Sequence, residues 1–187
     1  LAKAGVELIP SRATIVDSHT IEVDGRKVTA DKILIAVGGR PIKPDIPGME
    51  HVMTSNEMFH LPEKPKHVAI IGAGYIGVEF ASIMRGLGCE VSQIIRKDLI
   101  LRGFDRDIRN EIQQGMIHHG IQIISNNVVT AIDRVPEGLK LTLSDKDREP
   151  IVADVVLAAT GRTPNVEGLG LENVGVDLVP TSLEGPG

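Results

Sequence analysis

The residues best suited to chemistry are three glycines in Gly72-Ala73-Gly74-Tyr75-Ile76-Gly77 and two arginines, Arg96 and Arg102. The GxGxxG spacing is a common string, and its neighbours give it meaning. It follows the apolar run Val68-Ala69-Ile70-Ile71. It opens a stretch with apolar residues at Ile76, Phe80, Ile83, Met84 and Leu87, so it stands where a strand turns into a helix. In that position Gly72 permits a tight turn, Gly74 lets the backbone approach a pyrophosphate, and Gly77 lets the helix lie close to the sheet. The helix N-terminus adds N–H groups and the positive end of its dipole. Together these features predict a bound adenine dinucleotide.

The second strand of such a unit ends beside the adenosine ribose, where an Asp or Glu would hold the 2′-hydroxyl of NAD. Arg96 stands there, nineteen positions after Gly77. A carboxylate repels a 2′-phosphate, whereas a guanidinium binds it through two parallel charge-assisted hydrogen bonds. Arg102 is placed to close on the same phosphate from the other side. At ~1.5–3 kcal/mol per charge-assisted bond, the pair would favour NADP over NAD by about 3–6 kcal/mol if additive. The expected cofactor is NADPH, with Lys97 only an exposed neighbour.

The elements that must hold these residues follow from periodicity. Val6–Ile9, Ala13–Val16, Thr20–Val23 and Lys32–Val37 read as short strands of an antiparallel meander, with Asp24-Gly25 as a hairpin turn. The meander's apolar face has no cover within the first forty residues. Pro41, Pro44, Pro47, Pro62 and Pro65 make the next stretch a connector, with one short helix near Ser55–Phe59. A strand at His67–Gly72, a helix at Tyr75–Leu87 stopped by Gly88, and a strand at Glu90–Ile95 come next. A second helix is capped by Asp105, turns Ile108, Ile112 and Met116 inward and ends at Gly120. Strands at Ile121–Ile124, Val128–Ile132, Leu139–Leu143 and a single run Ile151–Ala159 complete the pattern. The fold class is α/β: a Rossmann-like parallel sheet with helices on both faces and a β-meander. The expected divisions are 1–40, 41–65 (connector), 66–163 (nucleotide-binding) and 164–187 (return segment).

Composition narrows the class. The 187 residues carry a net charge of −5 and only four aromatic side chains, three Phe and one Tyr, so nucleic acid is not an expected partner. No run approaches the ~18 apolar residues of a membrane span. The single thiol, Cys89, excludes an internal dithiol and fits a reducing, cytoplasmic setting. The strand-like start without methionine suggests a segment of a longer protein. Cys89 is expected as a packed residue at a helix-to-strand junction, and His118-His119 at a helix end as partners of the helix dipole, not metal ligands. Arg106 and Arg109, interleaved with Asp105 and Asp107, read as a solvated helix start.

These residues resemble the FAD-dependent pyridine nucleotide–disulfide oxidoreductases, and within them the glutathione-reductase branch. Four separated segments carry the likeness: Gly72 through Glu79, Ile95-Arg96-Lys97 with Leu101-Arg102-Gly103-Phe104-Asp105, Ile35-Ala36-Val37-Gly38-Gly39-Arg40-Pro41, and Ala159-Thr160-Gly161-Arg162-Thr163-Pro164-Asn165. The paired arginines match the NADP-using branch rather than the NAD-using dihydrolipoamide dehydrogenases. The resemblance implies that Tyr75 covers the flavin until nicotinamide displaces it, and that Glu79 lies near the nicotinamide amide. It also implies that Ala73 and Ile76 touch the cofactor, that Gly161 approaches it, and that Arg162 lies beside its nicotinamide half. Two positions depart from the pattern: Gly77, where NADP-using relatives often carry alanine, and Val37, which replaces a threonine that touches FAD. The family's FAD fingerprint, redox cysteine pair, Gly-Asp flavin motif and His–Glu pair have no counterpart here. The chain is therefore expected to bind NADPH without catalysis, as part of a homodimeric flavoenzyme that reduces glutathione disulfide. The alternatives are another acceptor (mercuric ion, trypanothione, coenzyme A disulfide or oxygen) or a nucleotide-sensing module that never carried flavin.

Overall fold

The computed structural model describes residues 1–178. The last nine positions of the expected return segment, 179–187, lie outside the described residues. The chain divides into two units, Leu1–Arg40 with the residues from Thr163 onward, and Pro41–Arg162.

The first unit is built on an antiparallel sheet of β1 (Ala13–Asp17), β2 (Thr20–Val23) and β3 (Arg26–Thr29). Asp24 and Gly25 both have positive φ, 50° and 74°, which turns β2 back on β3 as the two-residue hairpin requires. Two expected strands are absent. Val6–Ile9 and Lys32–Val37 are irregular, and the third strand is instead the polar Arg26–Thr29. Hairpin closure by the turn overrode the apolar preference of 32–37, because β3 pairs immediately after Gly25. A short strand β4 (Gly39–Pro41) leads out of this unit.

In the second unit a 3-10 turn (Met49–His51) and α1 (Ser55–Met58) fall in the proline-rich stretch. Thr54 caps α1 reciprocally with Glu57, whose Oε2 accepts from the Thr54 N–H at 2.6 Å. The central sheet comprises β5 (His67–Ile71), β6 (Glu90–Ile94), β7 (Ile121–Ile124) and, after the meander, β11 (Val155–Ala158), all parallel in the order β11-β5-β6-β7. Helices α2 (Tyr75–Gly86) and α3 (Arg106–His118) make the crossovers. Ile71 is in register with both Ala158 and Ile94, so three strands end at one level. That level is where ligands sit in such sheets.

The sheet is covered on both faces, by different layers. Phe80, Ala81 and Met84 of α2 and Met116 of α3 pack on Val68, Ile70, Val91 and Leu157. The opposite face carries Ala69, Ile71, Ile94 and Val156. It is covered by the antiparallel meander β8 (Val129–Val135), β9 (Gly138–Leu143) and β10 (Ile151–Ala153) through Ile132, Leu139, Leu141 and Leu143, and not by a long helix as expected. Each fully buried Ile, Leu or Val contributes about 1.5–3 kcal/mol of burial, so both faces are anchored. The run Ile151–Ala159 is two strands in two sheets. Asp154 breaks it, its carboxylate accepting the Lys66 and His67 N–H groups at 2.8 Å each. Ile83, Leu87 and Ile108, expected inward, are exposed: α2 contacts the sheet along the narrower stripe Gly77, Phe80, Ala81 and Met84, and α3 along Gln113 and Met116. Among the described residues no helix is long and apolar enough to cross a membrane. A last short strand, β12 (Arg162–Pro164), leaves this unit.

Candidate functional site

The glycine turn follows β5 directly. Gly72 has φ 131°, and a side chain there would run into the Ala159 carbonyl oxygen, while the Ala159 N–H donates to the Ile71 carbonyl at 2.8 Å. Glycine is thus required at 72 by the closeness of the β11 end. A Cβ at Gly77 would lie 2.9 Å from the Gly72 oxygen and 3.1 Å from Gln93 Nε2, which fits a helix drawn tight onto the sheet. Gly74 differs from both. Its φ is −76°, open to any residue, and no atom lies within 4 Å of the position a Cβ would take. The fold does not need glycine at 74, and the space it leaves faces outward from the turn.

The helix starts differ in the same direction. Asp105 caps α3, its Oδ1 accepting from the Asp107 N–H at 2.9 Å and the Ile108 N–H at 3.3 Å. Thr54 caps α1, whereas α2 begins at Gly74 with no side-chain cap. The first N–H groups of α2 are left to an external acceptor, which is the donor set an anion requires.

The arginines lie on the loop between β6 and α3, and both are exposed. Arg96 follows Ile95, whose N–H donates to Ile124 (2.9 Å) and whose carbonyl accepts from Asn127 (3.1 Å). Arg102 sits between Leu101 and Gly103, both at positive φ, 53° and 92°. The Leu101 N–H donates to the Ala73 carbonyl at 2.7 Å, which ties the Arg102 loop to the glycine turn. Two residues of α3 hold that loop from beneath. Gln113 accepts from the Ile100 N–H and donates to the Asp98 carbonyl, each at 3.1 Å, and Arg109 donates to the Ile100 and Leu99 carbonyls at 2.6 and 3.1 Å. Arg109 is therefore half-buried and structural, which corrects its reading as a solvated charge. Gln113 escaped the sequence reading altogether. The available signal was the spacing of Arg109, Gln113 and Met116, one inward stripe four and three residues apart.

A cavity of about 170 Å3 opens at the carboxyl end of the sheet, lined by Gly74, Tyr75, Ile76, Gly161 and Arg162 among others. Gly161 has φ 140°, and its carbonyl accepts from the Ile42 N–H at 3.0 Å, while Thr160 Oγ1 donates to the Ile42 carbonyl at 2.7 Å. The proline-rich stretch thus fixes the far wall. Tyr75 is exposed at the rim, and Glu79 is exposed one turn along α2. Of the predicted residues, Gly74, Tyr75, Ile76, Gly161 and Arg162 share this cavity. Ala73 belongs to the same turn and is hydrogen-bonded to Leu101, the neighbour of Arg102, and Arg96 follows the end of the neighbouring strand. Away from it, Cys89 is fully buried at its junction. The His119 ring donates from Nδ1 to the Gly115 carbonyl at 2.7 Å, at the C-terminus of α3.

Comparison with known proteins adds the following. The family of pyridine nucleotide-disulphide oxidoreductases matches residues 1–181. A glutathione reductase of Nostoc sp. is 71% identical over all 187 residues, which cover 41% of that protein. A mercuric reductase of Staphylococcus aureus is 34% identical over 175 residues, 92% of this chain and 32% of the relative. Among solved structures, LpdA of Mycobacterium tuberculosis superposes with a TM-score of 0.80 at 27% identity, over 95% of this chain and 41% of that one. The HOCl-induced flavoprotein disulfide reductase RclA of Escherichia coli gives 0.78 at 31%, over 93% and 40%. The chain spans about two fifths or less of the length of these relatives.

Proposed function

The chain belongs to the pyridine nucleotide-disulphide oxidoreductase family, and we propose that it supplies the NADPH-binding part of a FAD-dependent reductase of glutathione disulfide. The observation that carries this reading is the uncapped start of α2 at Gly74, with the Arg102 loop hydrogen-bonded to the same turn. The open space at Gly74 fits a pyrophosphate, and two exposed arginines on the loop after β6 suit a 2′-phosphate. The 71% identity to a glutathione reductase supports the disulfide as substrate.

When bound, the nicotinamide supplies a hydride, which a flavin accepts in this family. This chain's own residues bind and orient. The α2 N–H groups take the pyrophosphate charge, and Arg96 and Arg102 take the 2′-phosphate charge through charge-assisted hydrogen bonds. Tyr75 at the cavity rim would cover the flavin until the nicotinamide displaces it, with Gly161 and Arg162 lining the same cavity. Glu79 accepts from the carboxamide N–H. The thiol pair that meets glutathione disulfide must come from elsewhere, because Cys89 is the one cysteine and is buried. The lone thiol accords with a cytoplasmic setting, and homodimerisation would belong to the longer enzyme. A second acceptor, mercuric ion, draws support from the 34% identity to a mercuric reductase.

Titration calorimetry tests the reading: the chain should bind NADPH more tightly than NADH and reduce no glutathione disulfide. Failure to bind either nucleotide would overturn it. Disulfide turnover by the chain alone would overturn its assignment as the nucleotide-binding part.

A further inference from the structure

Directly beneath the glycine turn lies a polar side chain that the proposed function has not used. Gln93 is the penultimate residue of β6, between Ile70 of β5 and Ile123 of β7, and is fully buried. Its Nε2 donates to the Gly72 carbonyl at 2.9 Å. Its Oε1 is the one buried side-chain oxygen or nitrogen without a hydrogen-bond partner among the described residues. A buried, half-satisfied amide costs about 1–3 kcal/mol relative to an apolar side chain of the same shape. The same face carries Val91 in β6 and Ile95 just past its end, and it gains nothing in packing from an amide between them.

Resting on the dinucleotide reading, we propose that Gln93 is a positioning residue for the anion-binding turn. In a trans peptide the C=O and the following N–H point in opposite directions. The amide draws the Gly72 carbonyl inward, toward the sheet, and so turns the Ala73 N–H outward, to the side where Gly74 leaves open space. Without the Gln93 donor, the Gly72 carbonyl is a buried acceptor free to rotate toward solvent, and that rotation takes the Ala73 N–H away from the phosphates. The same amide explains glycine at 77. A methyl there would press on both the Gly72 oxygen and Gln93 Nε2, at 2.9 and 3.1 Å. Residues 72, 77 and 93 act as one unit, in which the amide occupies room that an alanine at 77 would need.

Because the pyrophosphate is common to both nucleotides, Gln93 acts on NADPH and NADH alike, unlike the arginines. In the full chain, Gln93→Met keeps the volume and removes the amide. Its expected Kd values for NADPH and NADH rise together, by about five- to tenfold, the loss of one hydrogen bond. Its thermal midpoint changes little, since the orphaned oxygen is gone while the Gly72 carbonyl loses its donor. Unchanged affinities, or weakening of NADPH alone, overturn the proposal. Wild-type chain that binds neither nucleotide overturns the dinucleotide reading instead. Should Gln93→Met fold poorly, a double-mutant cycle decides. Gly77→Ala should weaken both nucleotides by about tenfold with Gln93 in place, yet add little to Gln93→Val, which removes the amide contact and frees the Gly72 carbonyl to move off the methyl. Additive losses overturn the coupling.

Discussion

The two units of this chain are built to different standards. In Pro41–Arg162 the parallel sheet is packed on both faces, and Val68, Ala69, Ile70, Val156 and Leu157 are wholly excluded from solvent. Among the described residues of the other unit the buried apolar side chains are Ile15, Val23 and Leu171, while Leu1, Val6, Leu8, Leu34, Ile35, Val37, Val176 and Leu178 are exposed. A three-stranded sheet with one thin contact layer has little burial to set against the entropy of ordering it. A sheet closed by helices on one side and a meander on the other has far more. The difference teaches where the chain's stability resides. The proposed nucleotide site belongs wholly to the well-packed unit, so binding and cooperative unfolding should report on the same body.

The largest expected effect strikes the core of that body. Ile70→Ala should lower the stability of the main unfolding transition by about 2–5 kcal/mol in urea. Ile15→Ala should leave that transition in place and reduce amide protection only in β1 and β2. A matching loss from both substitutions would break the contrast between the units. Gly72→Ala comes next, because a methyl at φ 131° meets the Ala159 backbone. The expected cost is about 2–4 kcal/mol, from strain and overpacking, together with loss of nucleotide binding. Arg96→Glu should weaken NADPH about tenfold or more, with NADH less affected. Equal weakening of the two in calorimetry would mean that the side chain is structural.

Smaller effects sharpen the picture at the edge of the site. Thr54→Ala removes the α1 cap and should cost about 1 kcal/mol. Its partner Glu57 is held below the ordinary carboxylate range by hydrogen bonds from the Thr54 hydroxyl and backbone N–H. A carboxyl lowered on folding contributes stability above its unfolded value, near 4.5, and loses it as pH falls through the folded value. Because Glu57 is exposed, that pH dependence should be slight, and it should shrink in Thr54→Ala, which removes the hydroxyl donor and keeps the backbone one. A full-size acid transition that persists in Thr54→Ala would assign the pH dependence to other carboxylates.

Much of the well-packed unit was legible because its signals are local and repeated. The strand before Gly72, the helix after it, the Asp105 cap and the Gly88 stop each depend on residues within one or two turns of each other. The same rules failed where a distant partner decides. Lys32–Val37 looks like a strand by composition, but Arg26–Thr29 takes the pairing because the Asp24-Gly25 turn delivers it first. Asp154 splits an apolar run between two sheets because its carboxylate is called to Lys66 and His67, far away in sequence. Arg109 and Gln113 look like ordinary helix polarity until the loop they support is folded beneath them.

By itself the sequence determined the α/β class, the glycine turn at the strand-to-helix junction and the two arginines that follow it, since spacing along the chain dictates which backbone groups and charges share a strand end. Only the tertiary structure decided which layer covers each face of the sheet, that α2 goes uncapped while α1 and α3 do not, and that a buried amide lies under Gly72. Those outcomes depend on contacts between segments tens of residues apart, whose free energies arise from burial and hydrogen-bond pairing that no local pattern records.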